Sequence, residues 1–254
     1  MSIRKISFVQ DEYYHVYNRG NSKQKIFHDK EDYERFVGLL YACNQNGSIR
    51  TDDLGKDQGL FSIIKNENIV SIGAWVLMPN HFHILLTDFE EGGIIKFMQK
   101  LSTAYVMYYN KKYKRTGSLF EGKFKAEHAN NDRYLKYLFS YINLNPIKLI
   151  QSDWKEKGIR NKKQATEYLN NYKYSSYLDC IGVNRVQNSI LNIKVFHEYF
   201  PTKKSIQSEV FDIRGSFSFI FKIFCHGRRK EINRSSSAHC SQRTRSPNYG
   251  DDSS

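Results

Sequence analysis

The sequence predicts an α+β domain, and three observations carry that prediction. Two apolar segments, 69–78 (IVSIGAWVLM) and 81–87 (HFHILLT), flank the turn signal Pro79-Asn80 and read as a hairpin at the heart of a sheet. Apolar residues recur at helical spacing over 30–44, 92–112 and 131–144. Hydrophobic residues make up 40% of the chain and aromatic residues 15%, enough for a real core and too many for a wholly disordered chain. A length of 254 residues fits one large domain, or one domain with an appendage.

The elements follow in order. Residues 12–19 (EYYHVYNR) alternate in the β manner and stop at Arg19-Gly20. Asp29 has the chemistry of an N-cap, with Asp32 in the first turn. Tyr33, Phe36, Val37 and Leu40 then mark one helix face. Residues 45–68 are polar and Gly-containing, a long loop or insertion around the short apolar piece Leu60–Ile64. The hairpin comes next. The helix over 92–112 offers Ile95, Met98, Leu101, Tyr105 and Met107–Tyr109 on its apolar side. Residues 113–128 hold two glycines and a β-like stretch, FEGKFKAEH. The helix over 131–144 must end near Asn145-Pro146, and the proline biases Asn145 away from helical geometry. Beyond it the signals weaken. The surroundings of Trp154 and the run Tyr172–Tyr177 read as peripheral helices. Residues 226–254 have almost no apolar content and read as a disordered tail.

Charge points to a partner. Lys plus Arg is 39 and Asp plus Glu is 26, a net +13. Between Lys96 and Lys148 eleven basic residues face three acids, so +8 of the +13 lies in about a fifth of the chain. Tyr and Phe are interleaved there. Basic groups neutralise phosphates and aromatic rings stack on unpaired bases, so nucleic acid is favoured over a membrane surface. Lys114, Arg115, Lys123 and Lys125 flank a glycine-containing turn and suit a phosphate backbone. No apolar run reaches the length of a membrane span, and the N-terminus lacks an apolar signal core. A cytoplasmic location is the expectation. Cys43, Cys180, Cys225 and Cys240 are far apart and form no CxxC, so neither a disulfide framework nor a zinc site is expected.

The sharpest local feature is His81-Phe82-His83. Side chains two apart on a strand share a face, so the two imidazoles point one way and Phe82, Ile84 and Leu86 point the other. Such a pair can converge on one metal ion, although structural histidines explain most such pairs. The helix over 131–144 carries Tyr134, Tyr137 and Tyr141 on one face. An aromatic stripe of this kind ordinarily packs on a sheet. Tyr141 has Asn145 four residues on, and an amide oxygen is a hard ligand for Mg²⁺ or Mn²⁺. Together these residues suggest a divalent cation that polarises a phosphate and a phenol that attacks it.

HFH resembles the His–hydrophobic–His signature of the HUH single-strand endonucleases. Four stretches, YHVYNRGNSKQKIF at 14–27, AWVLMPNHFHILL at 74–86, KRTGSLFEGKFK at 114–125 and YINLNPIK at 141–148, resemble the single-tyrosine bacterial transposases. The resemblance is in particular to the REP-associated tyrosine transposases and their relatives. The piece Tyr174–Tyr177 is similar to a C-terminal motif of that family. Position 143 is Asn where the family commonly has His or Tyr, and the sequence after about 213 has no family flavour.

The resemblance implies a ferredoxin-like (RRM-like) antiparallel sheet with helices packed on it, peripheral C-terminal helices and a disordered tail. It implies a catalytic domain over 1–150, a peripheral region over 151–225 and the tail over 226–254. It carries metal ligation onto His81, His83 and Asn145 and the nucleophile onto Tyr141. It implies a Mg²⁺- or Mn²⁺-dependent transposase that cleaves and joins single-stranded or hairpin DNA through a 5′-phosphotyrosine, with a homodimer as an open alternative to a monomer. Two other readings stand beside it: a nucleic-acid-binding module of this fold without catalysis, and an HUH nickase of the replication-initiator type.

Overall fold

The computed structural model describes residues 7–48, 59–64 and 67–196. These all belong to one compact unit, Met1–Ile213; the second unit, Arg214–Ser254, and with it the expected tail, lies outside the described residues. The core elements run β1 (Tyr13–Arg19), α1 (Lys30–Ala42), β2 (Val70–Met78), β3 (His81–Asp88), α2 (Gly93–Lys112), β4 (Lys125–His128) and α3 (Asp132–Leu144). The strands form one sheet in the order β2-β3-β1-β4, and every neighbouring pair is antiparallel. A βαββαβ chain in this spatial order is the ferredoxin-like arrangement.

The two sheet faces have different jobs. On the first, Tyr14 and Val16 of β1 and Phe82, Ile84 and Leu86 of β3 meet Phe36, Leu39 and Leu40 of α1 and Phe97, Met98, Leu101 and Tyr105 of α2. All are essentially buried, and each large apolar side chain removed from water contributes about 1.5–3 kcal/mol. Helix α1 starts where the sequence places it: Asp29 caps it by accepting a hydrogen bond from the Asp32 amide. Asp32 is itself fully buried and is met by Lys112 Nζ at 2.9 Å, Tyr113 Oη at 2.7 Å and Tyr108 Oη at 3.1 Å. This cluster ties the start of α1 to the end of α2.

The second face is covered by α3. Asn131 caps that helix by accepting from the Tyr134 amide at 2.8 Å. Leu135, Leu138, Phe139 and Ile142 are buried, while the tyrosine stripe Tyr134–Tyr137–Tyr141 lies along the helix with rings stacked 6.1 and 5.9 Å apart. A bulge at Gly73, between Ile72 and Ala74, shifts the β2 register. It lets Trp75 and Leu77 join Ile72 on the first face while Val76 and Met78 sit opposite His83 and His81.

Two segments differ from expectation. The chain from Tyr172 to Ser176 is not helical. Ser175 bridges Val76, the Leu77 amide donates to the Tyr174 carbonyl at 2.9 Å, and the Ser176 amide donates to the Trp75 carbonyl at 2.8 Å. The outer edge of β2 would otherwise bury unpaired backbone groups, and that demand outweighs local propensity. A four-residue helix, α6 (Tyr177–Cys180), begins only afterwards; α4 (Trp154–Lys157) and α5 (Lys162–Asn171) precede it. The second difference is Asn145. It keeps right-handed helical angles, φ −53° and ψ −36°, and leads into a 3-10 turn over Asn145–Leu149 with Pro146 at its start. Proline at the first position of a new turn loses no hydrogen bond, so the bias on the preceding residue is overcome.

Candidate active site

β3 sets His81 and His83 on the second face, beneath α3. Their rings are 5.0 Å apart and nearly perpendicular, at 87°. Tyr141 lies over His83: its ring stands edge-on to His83 at 5.4 Å and to His15 at 6.1 Å. Asn145 is 1% exposed, and neither its side-chain oxygen nor its nitrogen makes a hydrogen bond of ordinary geometry. The Nε2 of His83 is likewise buried without a partner. Unpaired polar atoms in a buried place are costly, and here they belong to the residues the sequence singles out. The structure brings His81, His83, Tyr141 and Asn145 into one neighbourhood.

Burial depresses both imidazoles. His81 is brought down to about 4, with the Lys148, Lys155 and Arg19 cations adding to the effect. His83 falls well below the ordinary histidine range, through burial first and the adjoining His15 and His81 second. Both rings are therefore neutral at pH 7, the form that offers a lone pair to a metal. Burial pushes the Tyr141 phenol up, and the Asn145 side chain and the Lys148 cation pull it back. Lys155 adds a direct contact: its Nζ donates to Tyr141 Oη at 2.8 Å and lies 4.0 Å from the ring centre.

Four residues of this site went unassigned in the sequence. His15 of β1 makes a 2.8 Å hydrogen bond through Nε2 to Nδ1 of His83. Glu127 of β4 lies behind it, with Oε2 3.7 Å from His15 Nδ1. That carboxylate also accepts from Tyr17 Oη and Tyr134 Oη, each at 3.0 Å. Asn80 accepts from His81 through a 2.6 Å contact between Oδ1 and Nδ1. Lys155 is the fourth. Strand alternation puts His15 and Tyr17 on one face, but only the β1–β3 and β1–β4 registers place them beside His83 and Glu127.

Two neutral imidazoles suit a borderline divalent metal and the amide oxygen suits Mg²⁺ or Mn²⁺, so this mixed set fits Mn²⁺ better than Mg²⁺ and leaves positions open to water. Among the described residues no group of three or more His, Cys, Asp or Glu side chains is gathered for a metal ion, so any metal here would depend on the Asn145 amide or on water. The orphaned His83 Nε2 and Asn145 atoms fit that role.

The basic residues separate. Lys125 projects from β4 on the same face as Glu127 and Tyr17, opposite Tyr17 in register, and is exposed. Lys123 is exposed in the turn before β4 and lines a cleft with Asn18, Phe120 and Phe124. Lys114 and Arg115 follow α2, with the Arg115 guanidinium over the Tyr109 ring at 5.4 Å. No helix among the described residues is long and apolar enough to cross a membrane.

The fold and site together define a class: a ferredoxin-like sheet carrying a histidine pair under a helix-borne tyrosine. Residues 8–145, more than half of the chain, match the family "Transposase IS200 like", and the chain belongs to this family of transposases. No curated protein matches. Among solved structures, the REP-associated tyrosine transposase bound to a REP hairpin is similar, with 11% identity, a TM-score of 0.45 and coverage of 74% of this chain and 90% of that one.

Proposed function

We propose that this transposase cleaves and rejoins single-stranded DNA with Tyr141 as nucleophile and a divalent cation held by His81, His83 and Asn145. The observation that carries the reading is a buried His83 nitrogen without a hydrogen-bond partner and the buried Asn145 amide, both beside one phenol. When bound, Mg²⁺ or Mn²⁺ would supply Lewis-acid polarisation of the scissile phosphate.

The chain's own residues do the rest. Tyr141 Oη attacks phosphorus; the Oη–P bond forms as the P–O3′ bond breaks. The phenolic proton leaves, a proton is taken up by the departing 3′-oxygen, and the DNA 5′ end remains on the tyrosine. A 3′-hydroxyl reverses the step without nucleotide hydrolysis, because the phosphotyrosine conserves the bond. The Lys155 ammonium, 2.8 Å from Oη, stabilises the phenolate and then the charge on the attacked phosphate. Lys125, on the same sheet face, together with Lys114, Arg115 and Lys123, holds the strand by its phosphates. Hairpin DNA with single-stranded flanks is the substrate form this arrangement favours. The domain limits 1–150, 151–225 and 226–254 and a cytoplasmic location are part of the same proposal.

The test is cleavage of an end-labelled single strand by the full chain with Mg²⁺, with Mn²⁺ and with chelator. Cleavage restricted to the metal-containing reactions, and abolished in folded His83→Ala, is the expected result. Undiminished cleavage in chelator would overturn the metal assignment.

A further inference from the structure

We infer that Asn80 and the pair His15–Glu127 are positioning residues that hold His81 and His83 in the same tautomer, proton on Nδ1 and lone pair on Nε2, with both lone pairs turned toward the cation site. The inference rests on the metal site proposed above but is derived from hydrogen-bond directions alone.

For His81 the direction is fixed by an amide. Asn80 Nδ2 donates to the Lys23 carbonyl at 3.1 Å. That contact orients the side chain, since a carbonyl accepts only from the NH₂ group. Asn80 Oδ1 therefore faces His81 Nδ1 at 2.6 Å. An amide oxygen only accepts, so the hydrogen is on Nδ1 and His81 Nε2 is bare.

For His83 the direction is fixed by a carboxylate one residue further away. Glu127 accepts from the Tyr17 and Tyr134 hydroxyls and turns Oε2 toward His15 Nδ1 across 3.7 Å. That separation exceeds a hydrogen bond, but negative charge there favours the His15 tautomer with its hydrogen on Nδ1. His15 Nε2 is then an acceptor, and the 2.8 Å contact with His83 requires the hydrogen on His83 Nδ1. His83 Nε2 is then left bare. The rings of His15, Tyr17 and His83 pack as one cluster, His15 lying 5.0 Å from Tyr17 and 4.9 Å from His83 and Tyr17 lying 5.7 Å from His83, which keeps the relay aligned.

Partners of this kind raise ligand basicity and fix ring orientation, and their loss costs roughly 10- to 100-fold in metal affinity. The tautomers are read first in the metal-free wild-type chain, from the ¹⁵N shifts of the imidazole nitrogens. Protonated Nδ1 and unprotonated Nε2 at both His81 and His83 are expected. A hydrogen on Nε2 of either ring overturns the proposal without any variant. Mn²⁺ binding, followed by the loss of its free electron-spin resonance signal, is then compared between wild type and His15→Phe, which keeps the ring stack and removes both nitrogens. A dissociation constant raised about 10-fold or more is expected. An unchanged constant in folded His15→Phe would reject the relay. Glu127→Gln supplies the same comparison if His15→Phe does not fold: weaker Mn²⁺ binding supports the relay, and unchanged binding rejects it. Wild type that shows the expected tautomers yet takes up no Mn²⁺ would overturn the metal reading and leave the hydrogen-bond directions standing.

Discussion

The Lys155 ammonium donates a 2.8 Å hydrogen bond to the Tyr141 hydroxyl. The two residues belong to different elements, α4 and α3, separated by a turn containing Pro146. A free phenol has a pKa of about 10, and burial pushes this one higher. A cation in direct contact with Oη opposes that trend and sits where charge develops as phosphorus is attacked. Lys155→Met should therefore slow single-strand cleavage about 100-fold, the usual loss for one such donor. Binding of the uncleaved strand should change far less. Single-turnover rates set beside filter-binding affinities separate the two effects. An unchanged rate would remove Lys155 from the chemistry.

A second prediction concerns stability away from the site. Asp32 is fully buried; burial pushes its carboxyl up, but the His28 amide, then Lys112 at 2.9 Å and the Tyr113 hydroxyl, hold it below the ordinary range. Lys112→Met leaves that carboxylate in place without its cation. The loss should be about 3 kcal/mol, read as a lower urea midpoint at unchanged slope. A shift of a few tenths would mean that the Tyr108 and Tyr113 hydroxyls suffice.

A third prediction is pH-dependent. Asp88 is 2% exposed. Burial lifts its pKa from 3.8 to about 6, although its carboxylate accepts from the Ile94 amide at the start of α2. A carboxyl whose folded pKa is raised disfavours folding once ionised, so its cost is absent at low pH and appears as pH rises from about 4 to about 6. Asp88→Asn keeps an acceptor for Ile94 and never ionises. The variant should be more stable than wild type by about 3 kcal/mol at pH 8, with the gap closing near pH 4. Thermal melts across that range test it; a gap independent of pH would contradict it.

Much of this architecture was legible in the sequence, for physical reasons. The hairpin over 69–87 and the common face of His81 and His83 follow from period-two alternation and a Pro-Asn turn. The cap Asp29 is local chemistry, and the tyrosine stripe is helical spacing. What alternation cannot give is register. Whether His15 meets His83, and whether Glu127 lies behind it, depends on strand pairs whose partners are 68 residues apart or joined through a short edge strand. Lys155 is invisible for the same reason: only the 3-10 turn after α3, which Asn145 enters in helical geometry, carries it back over Tyr141. The extended run along the β2 edge answers a need of the sheet, not of its own residues.

The central claim is that Tyr141 becomes covalently linked to DNA. The most direct measurement incubates the wild-type chain and Tyr134→Phe, Tyr137→Phe and Tyr141→Phe with labelled single-stranded DNA and Mn²⁺, and maps any protein–DNA adduct by peptide mass spectrometry. Each change removes one oxygen and keeps the ring. Wild type, Tyr134→Phe and Tyr137→Phe should each carry a 5′-phosphate on Tyr141, and Tyr141→Phe should bind the strand and form no adduct. An adduct that persists in Tyr141→Phe and maps to another tyrosine would contradict the account.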